Sequence, residues 1–407
     1  MGLIVQKFGG TSVADAERIH RAAKRAIAAK EKGNQVVVVV SAMGDATDDL
    51  IALAKQVCAD PPKREMDQLL ATGEQVTIAL MAMALHSQGH QAISFTGGQI
   101  GLVTDNAFSK ARIQSINKQR IFEQLSEGKI VIIAGFQGVT PDGHFTTLGR
   151  GGSNATLVAI GAVLSADVCE NYTDVDGIYT ADPRIVKNAR KIDRISYDEM
   201  LELSGLGASV LQTRAVEFAK KYNVPLHVRN SQNDNEGTWI VAETPNMEHI
   251  LVSGAALKKD LTRVTIKSVP DRPGIAAKIF GDIAAANIVV DDIIQNVMDD
   301  NTAHISFTVE HGDLQDIKPV VDRLCNELGA RTAPIYHGDL AKVSVVGVGM
   351  RGHTGVAQRM FKALADGRIN IQNITTSEIK ISCIIDREQG NKALQIVHDA
   401  FELEKVQ

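Results

Sequence analysis

Three observations predict an α/β fold with a parallel-rich central sheet sandwiched by helices, followed by a C-terminal pair of small α+β domains. Short runs that are apolar throughout alternate with helix-period segments in the first part of the chain, as strands buried on both faces require. The run Val36 to Val40 is too β-branched and too short to favour a helix. After about residue 250 the character changes, and the remainder repeats itself.

Taken in order, Leu3-Ile4-Val5 reads as the first buried strand. From Val13 the period turns helical, with Ile19, Ala22, Ala23, Ala26 and Ile27 on one face. Ser12 and Asp15 have capping-box spacing, which places the helix start there. Further strands are "AISF" at Ala92, "IVIIAGF" at Ile130, "VCENYTD" at Val168 and "VPLHV" at Val224. Helices are expected near residues 46–58, 64–88, 109–127, 153–165 and 206–222. The segment from Val264, "VTIKSVPDRPGIAAKIFGDIAAANIVVDDII", matches "VSVVGVGMRGHTGVAQRMFKALADGRINIQNIT" from Val343. Each copy is strand, glycine loop, helix and strand, then an alternating segment, "TAHISFTVE" or "EIKISCIID". Two copies are too few for a solenoid, so a pair of βαβ-type domains packed together is expected. The boundaries follow: a first domain over 1–245, a lead-in over 246–262, and the two repeats over 263–336 and 337–407.

At 407 residues with net charge −5, and with no basic stripe interleaved with aromatics, nucleic acid is not an expected partner. Lys7 interrupts what would be a signal sequence's apolar core, and no run suggests a membrane span. Gln6 stands where myristoylation needs Ser or Thr. Cys58, Cys169, Cys325 and Cys383 are widely spaced with no CxxC, which suits reduced thiols. A soluble cytoplasmic protein is expected.

The polar turns carry the chemistry. "VQKFGGTS" is strand, glycine turn, helix, with Lys7 at the strand's end. Bare N–H groups and glycines at a helix start favour an anion, although the turn is neither GxxxxGK[ST] nor GxGxxG and also reads as a tight connection. "TTLGRGGSNAT" repeats the arrangement with Arg150 in the turn and Ser153 at the helix start. Both loops would lie beyond the carboxyl ends of parallel strands, where ligands sit in such folds. "SAMGDATDD" follows the valine run at the same edge and offers Ser41 and Thr47, with Asp48 and Asp49 read as solvated cap residues. "LLATGEQVT" places Glu74 just after Gly73 at a helix start, where it could receive an ammonium or complement the helix dipole. In "NYTDVDGIYTADPR", Asp174 and Asp176 could face Mg2+ through water, or form a turn. His86 and His90 have i,i+4 spacing but no third ligand, and there is no HExxH and no GxSxG, so no protein-held metal is expected.

In order along the chain, "KFGGTS", "VVVSAMGDATDDL", "LLATGEQVT", "FTGGQIG", "GFQGV", "TTLGRGGSN", "YTDVDGIYTADPR" and "VLQTRAVEFA" resemble the aspartokinases of the amino-acid-kinase family. The resemblance continues through two C-terminal ACT-type, ferredoxin-like domains. It implies transfer of the γ-phosphoryl group of ATP, with Mg2+, to the side-chain carboxylate of L-aspartate. The same resemblance implies Lys7 and Asp174 as catalytic residues and Lys7, Phe8, Gly9, Gly10, Tyr172, Thr173, Asp174, Tyr179 and Arg184 on the ATP side. Aspartate would be held by Ser41, Thr47, Glu74, Arg150, Gly151, Gly152 and Ser153. Two departures stand out: Ser209 where the family commonly has lysine, and Thr354 where proline is usual.

The ACT-type pair implies feedback inhibition by lysine or threonine. One site would involve Asp271, Gly274, Ile275, Ala276, Asp291 and Gln295, the other Asn370, Ile371 and Ser377. A homo-oligomer, dimer or larger, is expected through these domains, and Met247 could start a separate regulatory chain. The alternatives are a kinase of the same fold acting on another substrate, and a catalytically silent amino-acid sensor.

Overall fold

The computed structural model describes residues 2–206, 210–242, 251–330, 332–350 and 353–405. Ser209 and Met247 lie outside them. The chain forms two compact units, Met1–Tyr179 with Lys191–Met247, and Thr180–Arg190 with Glu248–Gln407. The short segment from Thr180 thus groups with the C-terminal part, although it lies within the span expected for the first domain.

The first unit begins β1 (Leu3–Phe8), α1 (Ala16–Glu31), β2 (Gln35–Val40), α2 (Ala46–Val57), α3 (Lys63–Ser87) and β3 (Ala92–Phe95). It continues with β4 (Val103–Thr104), β5 (Ile113–Ser115), α4 (Gln119–Ser126), β6 (Ile130–Ala134), β7 (Gln137–Val139), β8 (Phe145–Thr147), α5 (Gly152–Leu164) and β9 (Val168–Thr173). Next come β10 (Ile178–Tyr179), β11 (Lys191–Ile192), β12 (Arg194–Ser196), α6 (Tyr197–Gly205), α7 (Thr213–Tyr222), β13 (Leu226–Asn230) and β14 (Thr238–Val241). The main sheet has the order β12-β14-β13-β9-β1-β2-β6-β3. Its pairs are parallel except β13 with β14. Val36 to Val40 are fully buried in its middle, as a strand covered on both faces must be.

Three local expectations change. Residues 10–13 form a 3-10 turn, and α1 starts later, with Asp15 as the N-cap accepting the Arg18 N–H. Ser12 is buried instead. The helix expected over 109–127 is confined to α4, because Ser109 has positive φ and the Asp105 carboxylate takes the N–H groups of Ala107 and Arg112. A Ser196–Glu199 capping box opens α6, a helix the periodicity did not reveal. β4, β5, β7 and β8 build a separate small sheet of strands too short to show alternation.

At 25 residues, α3 is long and apolar enough by composition to cross a bilayer, contrary to expectation. Half of its apolar window is buried inside the unit, and Asp67 and Glu74 lie on that buried side. It is a core helix.

The second unit contains β15 (Gly254–Pro270), α8 (Ile275–Ala285), β16 (Asp291–Val297), β17 (Thr302–Glu310), α9 (Leu314–Leu328) and β18 (Ile335–Val346). It ends with α10 (Val356–Asp366), β19 (Asn373–Thr376), β20 (Lys380–Asp386) and α11 (Gly390–Ala400). The repeat is visible in the backbone: Gly274 and Gly355, with φ of 96° and 92°, cap the equivalent helices α8 and α10. The copies share one six-stranded sheet, order β16-β17-β15-β18-β20-β19, because the long β15 and β18 run through both.

Helix α5 packs so closely on β9 that a Cβ added at Gly161 would lie 2.2 Å from the Cys169 sulfur. Gly161→Ala is therefore expected to destabilise the first unit by about 1–3 kcal/mol, measured by urea unfolding.

Candidate active site

The polar turns gather at the carboxyl ends of the parallel strands. The Gly9 N–H reaches the Tyr172 carbonyl (3.3 Å), tying the turn after β1 to the end of β9. The Ser41 N–H donates to the Phe8 carbonyl (3.1 Å) and the Gly44 N–H to the Gly10 carbonyl (3.1 Å), so the first two loops lie side by side. A Cβ at Gly10 would sit 2.9 Å from the Ala42 carbonyl oxygen, which only glycine avoids.

Lys7 is 8% exposed, and its Nζ lies 3.3 Å from where a Cβ on Gly9 would be. Burial lowers its pKa to about 8, with Asp174 pulling the other way. Asp174 is exposed just past β9 and accepts the Thr173 hydroxyl (3.0 Å).

The loop after β2 meets α3. A Cβ on Gly73 would be 2.8 Å from the Ala42 Cβ, so the helix approaches closely. Glu74 follows, midway along α3 rather than at the expected helix start, so it complements no helix terminus; it is 2% exposed, and one of its oxygens accepts the Ala42 N–H (3.0 Å). Its Oε2 is buried without a hydrogen-bond partner among the described residues. Burial raises the Glu74 pKa to about 7 against the lowering effect of the Ala42 N–H and the Gln137 amide. A buried carboxylate with one oxygen unmet is suited to an incoming cation.

The arginine turn joins the same edge. Ser41 donates to the Ser153 hydroxyl oxygen (2.9 Å), and a Cβ on Gly135 at the end of β6 would be 2.7 Å from that oxygen. Gly151 caps α5 with φ 67°, Gly152 is buried against Phe136 and Leu148, and Arg150 is exposed at the tip. Thr47 is half-buried in the first turn of α2, where Asp48 and Asp49 are exposed.

Three expected residues, Phe8, Tyr172 and Arg184, are placed differently. Tyr172 is 2% exposed and stacks on the fully buried Phe8 (4.8 Å between centroids), so these rings pack beneath the turn and offer a ligand no ring surface. The guanidinium groups of Arg25 and Arg229 cover the Tyr172 ring, and its hydroxyl donates to Glu170 (3.1 Å). Tyr179 pairs with Lys191 between β10 and β11. Arg184 belongs to the second unit and forks onto Asp182. Asp176, considered as a Mg2+ neighbour, already accepts amides from Asn230 (2.6 Å), Asn233 (2.9 Å) and Asn235 (3.1 Å). It therefore fixes the loop after β9, and these bonds, Asn233 first, lower its pKa. The asparagine-rich "NSQNDNEG" was the available signal. The His86 ring nitrogen lies against the Ala92 carbonyl (3.0 Å).

In the second unit, Asp271, Gly274, Ile275, Ala276 and Gln295 line a cavity of about 390 Å³. Asp291 does not line it; this exposed carboxylate pairs with Lys342, a lysine only 1% exposed, which also binds Asp292 (2.8 Å). Asn370 and Ile371 precede β19, and the Ser377 N–H closes the β19–β20 hairpin on the Lys380 carbonyl (2.8 Å).

Residues 2–230 match the amino acid kinase family, and residues 262–329 and 343–401 each match an ACT domain. An aspartokinase of Pseudomonas aeruginosa is 52% identical over 406 residues, covering 99% of this chain and 98% of its own. Aspartokinase 2 of Bacillus subtilis is 51% identical, covering 100% and 99%. Among solved structures, E. coli aspartokinase III in complex with aspartate and ADP superposes with a TM-score of 0.85 at 26% identity, covering 98% of this chain and 99% of that one. The same enzyme in complex with lysine and aspartate gives 0.75 at 26% identity, with the same coverage. With one family description spanning more than half its length and relatives alike from end to end, the chain belongs to the aspartokinases of the amino acid kinase family.

Proposed function

We propose that this chain, an aspartate kinase by family, transfers the γ-phosphoryl group of ATP to the side-chain carboxylate of L-aspartate, giving 4-phospho-L-aspartate and ADP. The observation that carries the reading is the convergence of the Lys7 turn, the Ser41 loop, Glu74 and the Ser153 turn on one sheet edge. The ADP and aspartate held by E. coli aspartokinase III support it.

The attacking carboxylate is ionised near neutral pH, so the step needs no general base. One carboxylate oxygen bonds to the γ-phosphorus as the bond to the β-phosphate oxygen breaks, and ADP leaves as an anion. The obstacle is two converging anions. Lys7 and the Gly10 N–H face the phosphoryl oxygens, Arg150 takes an aspartate carboxylate, and the free oxygen of Glu74 takes the ammonium. Ser41, Thr47 and Ser153 complete the aspartate side, and Thr173 and Tyr179 flank the nucleotide side. Asp174, exposed beside Lys7, fits a Mg2+ carried by the nucleotide, since such an ion needs only one or two protein carboxylates beyond the phosphates. Bound there, the ion would neutralise charge on the β- and γ-oxygens.

The cavity beside α8 is proposed as an effector site for lysine, threonine or both. The lysine complex of E. coli aspartokinase III supports this, as does the glycine-capped start of α8, whose N–H groups suit a carboxylate. Exposed Ile293 and Ile374 on the edge strands β16 and β19 support self-association of the second unit.

Hydroxylamine trapping should yield the hydroxamate with aspartate and ATP; its absence would leave the silent-sensor reading. Lys7→Ala is expected to lower kcat by roughly 10²–10³, about 2.7–4 kcal/mol of lost transition-state stabilisation, and near-normal turnover would refute the role. Against pH, kcat/KM for aspartate should rise as Glu74 ionises through about 7 and fall as Lys7 deprotonates through about 8. Glu74→Gln should remove the acidic limb. Titrating activity with lysine, threonine and both should reveal inhibition that Gln295→Ala weakens; equal inhibition of that variant would move the effector elsewhere.

A further inference from the structure

Asp67 is absent from every role assigned so far, yet it is a fully buried carboxylate on the inner side of α3, two helical turns before Glu74. Carboxylates are almost never fully buried unless paired. Among the described residues this one is paired with no cation. It is spent on three donors from two loops: Oδ2 accepts the N–H of Ser109 (2.9 Å) and of Thr147 (2.8 Å), and Oδ1 accepts the Thr147 hydroxyl (2.8 Å). Thr147 is the last residue of β8, three before Arg150. Ser109 sits in the left-handed region (φ 71°), and its carbonyl oxygen would be 3.1 Å from a Cβ on Gly149. The Asp67 carboxylate therefore grips both sides of the base of the arginine turn. From α7, Arg214 grips the same base by its carbonyls, donating to Leu148 (3.2 Å) and Ala111 (3.1 Å).

We infer that Asp67 is a positioning residue that fixes the arginine turn relative to Glu74, and so how far the side-chain carboxylate of a bound amino acid reaches toward the phosphoryl group. One rigid helix carries both anchors: Glu74 directly, and the arginine turn through Asp67. Aspartate and glutamate offer the same groups and differ by one methylene in that reach, a difference a pocket resolves only when its anchors are held in place. The inference rests on the assignment proposed above, with Glu74 on the ammonium and Arg150 on the α-carboxylate, which leaves the side-chain carboxylate to attack.

The test compares KM for aspartate, KM for ATP and the ratio of kcat/KM for aspartate over glutamate, with melting temperature alongside. Asp67→Ala should raise the aspartate KM about tenfold or more and lower the preference for aspartate, while the ATP KM stays within about twofold. Asp67→Asn should recover most of both, because its carboxamide oxygen can take the two N–H groups while its NH2 donates to the Thr147 hydroxyl. Thr147→Val, which loses one of the three bonds, should shift both quantities in the same direction by less, and serves if Asp67→Ala does not fold. Unchanged aspartate KM and preference in the folded Ala variant, or in Thr147→Val where Ala does not fold, would overturn the inference, as would an Asn variant as impaired as Ala. Glu74→Gln and Arg150→Lys, measured in parallel, separate the two levels. If they leave the aspartate KM untouched, the pocket assignment itself falls; if they raise it while Asp67→Ala does not, only the role of Asp67 falls.

Discussion

The catalytic edge depends on backbone-to-backbone contact between the turn after β1 and the loop after β2. Parallel pairing in register, Phe8 beside Val40, brings both chains out of the sheet at the same height. The Gly10 carbonyl then takes the Gly44 N–H, and no side chain fits between Gly10 and Ala42. The Phe8 carbonyl likewise takes the Ser41 N–H, so the two loops are tied backbone to backbone. The glycines matter for the space they leave rather than for flexibility: Gly10, Gly73 and Gly135 each lie where a methyl group would press on the neighbouring element.

This close packing has an electrostatic consequence. Lys7 and Glu74 are both buried, and burial draws the pKa of each toward neutrality, Lys7 down to about 8 and Glu74 up to about 7. Burying an unmatched charge destabilises the fold, and the loss is recovered when a ligand of opposite charge arrives in a site that needs no reorganisation. The rigid surroundings make that possible. Phe8 and Tyr172 stack below the turn, with two guanidinium groups over the Tyr172 ring, and Asp176 is held by three asparagine amides. Residues that looked like ligands by position in the sequence are in several cases the frame behind the ligands.

The second unit solves a different problem. Each repeat is too small to bury a core generously. The two copies share β15 and β18, so one sheet backs two helical layers. Lys342 on β18, almost fully buried, binds Asp291 and Asp292 of β16, and Thr375 of β19 reaches Asp292 (3.0 Å), so the two repeats are joined across the sheet's face. The Thr180–Arg190 segment adds Ala181 and Val186 to the core around α10 and α11, and the Thr180 hydroxyl meets the His398 ring (3.0 Å). That segment is continuous in the chain with β10 and β11, so the loop after β9 and the regulatory core are joined covalently on both sides.

By itself the sequence determined six strands of the main sheet, the repeat and the polar turns, because each rests on a local pattern. An unbroken β-branched run must be buried on both faces, and a glycine turn before a helix leaves bare donors wherever it occurs. Lys7, Arg150 and Ser153 were legible as residues of one edge because parallel topology sends such turns to the same side, whereas Glu74 reaches that edge from the middle of α3. Only the tertiary structure decided that Asp15 rather than Ser12 caps α1, that residues 109–118 are held open by carboxylates, and that Asp67 and Asp176 are structural acceptors. The same is true of Asp291, drawn to Lys342, and of Arg184, drawn to Asp182. A carboxylate or a guanidinium carries no local sign of which partner it will find, since that partner is chosen by residues tens to hundreds of positions away, once burial has removed water as the alternative.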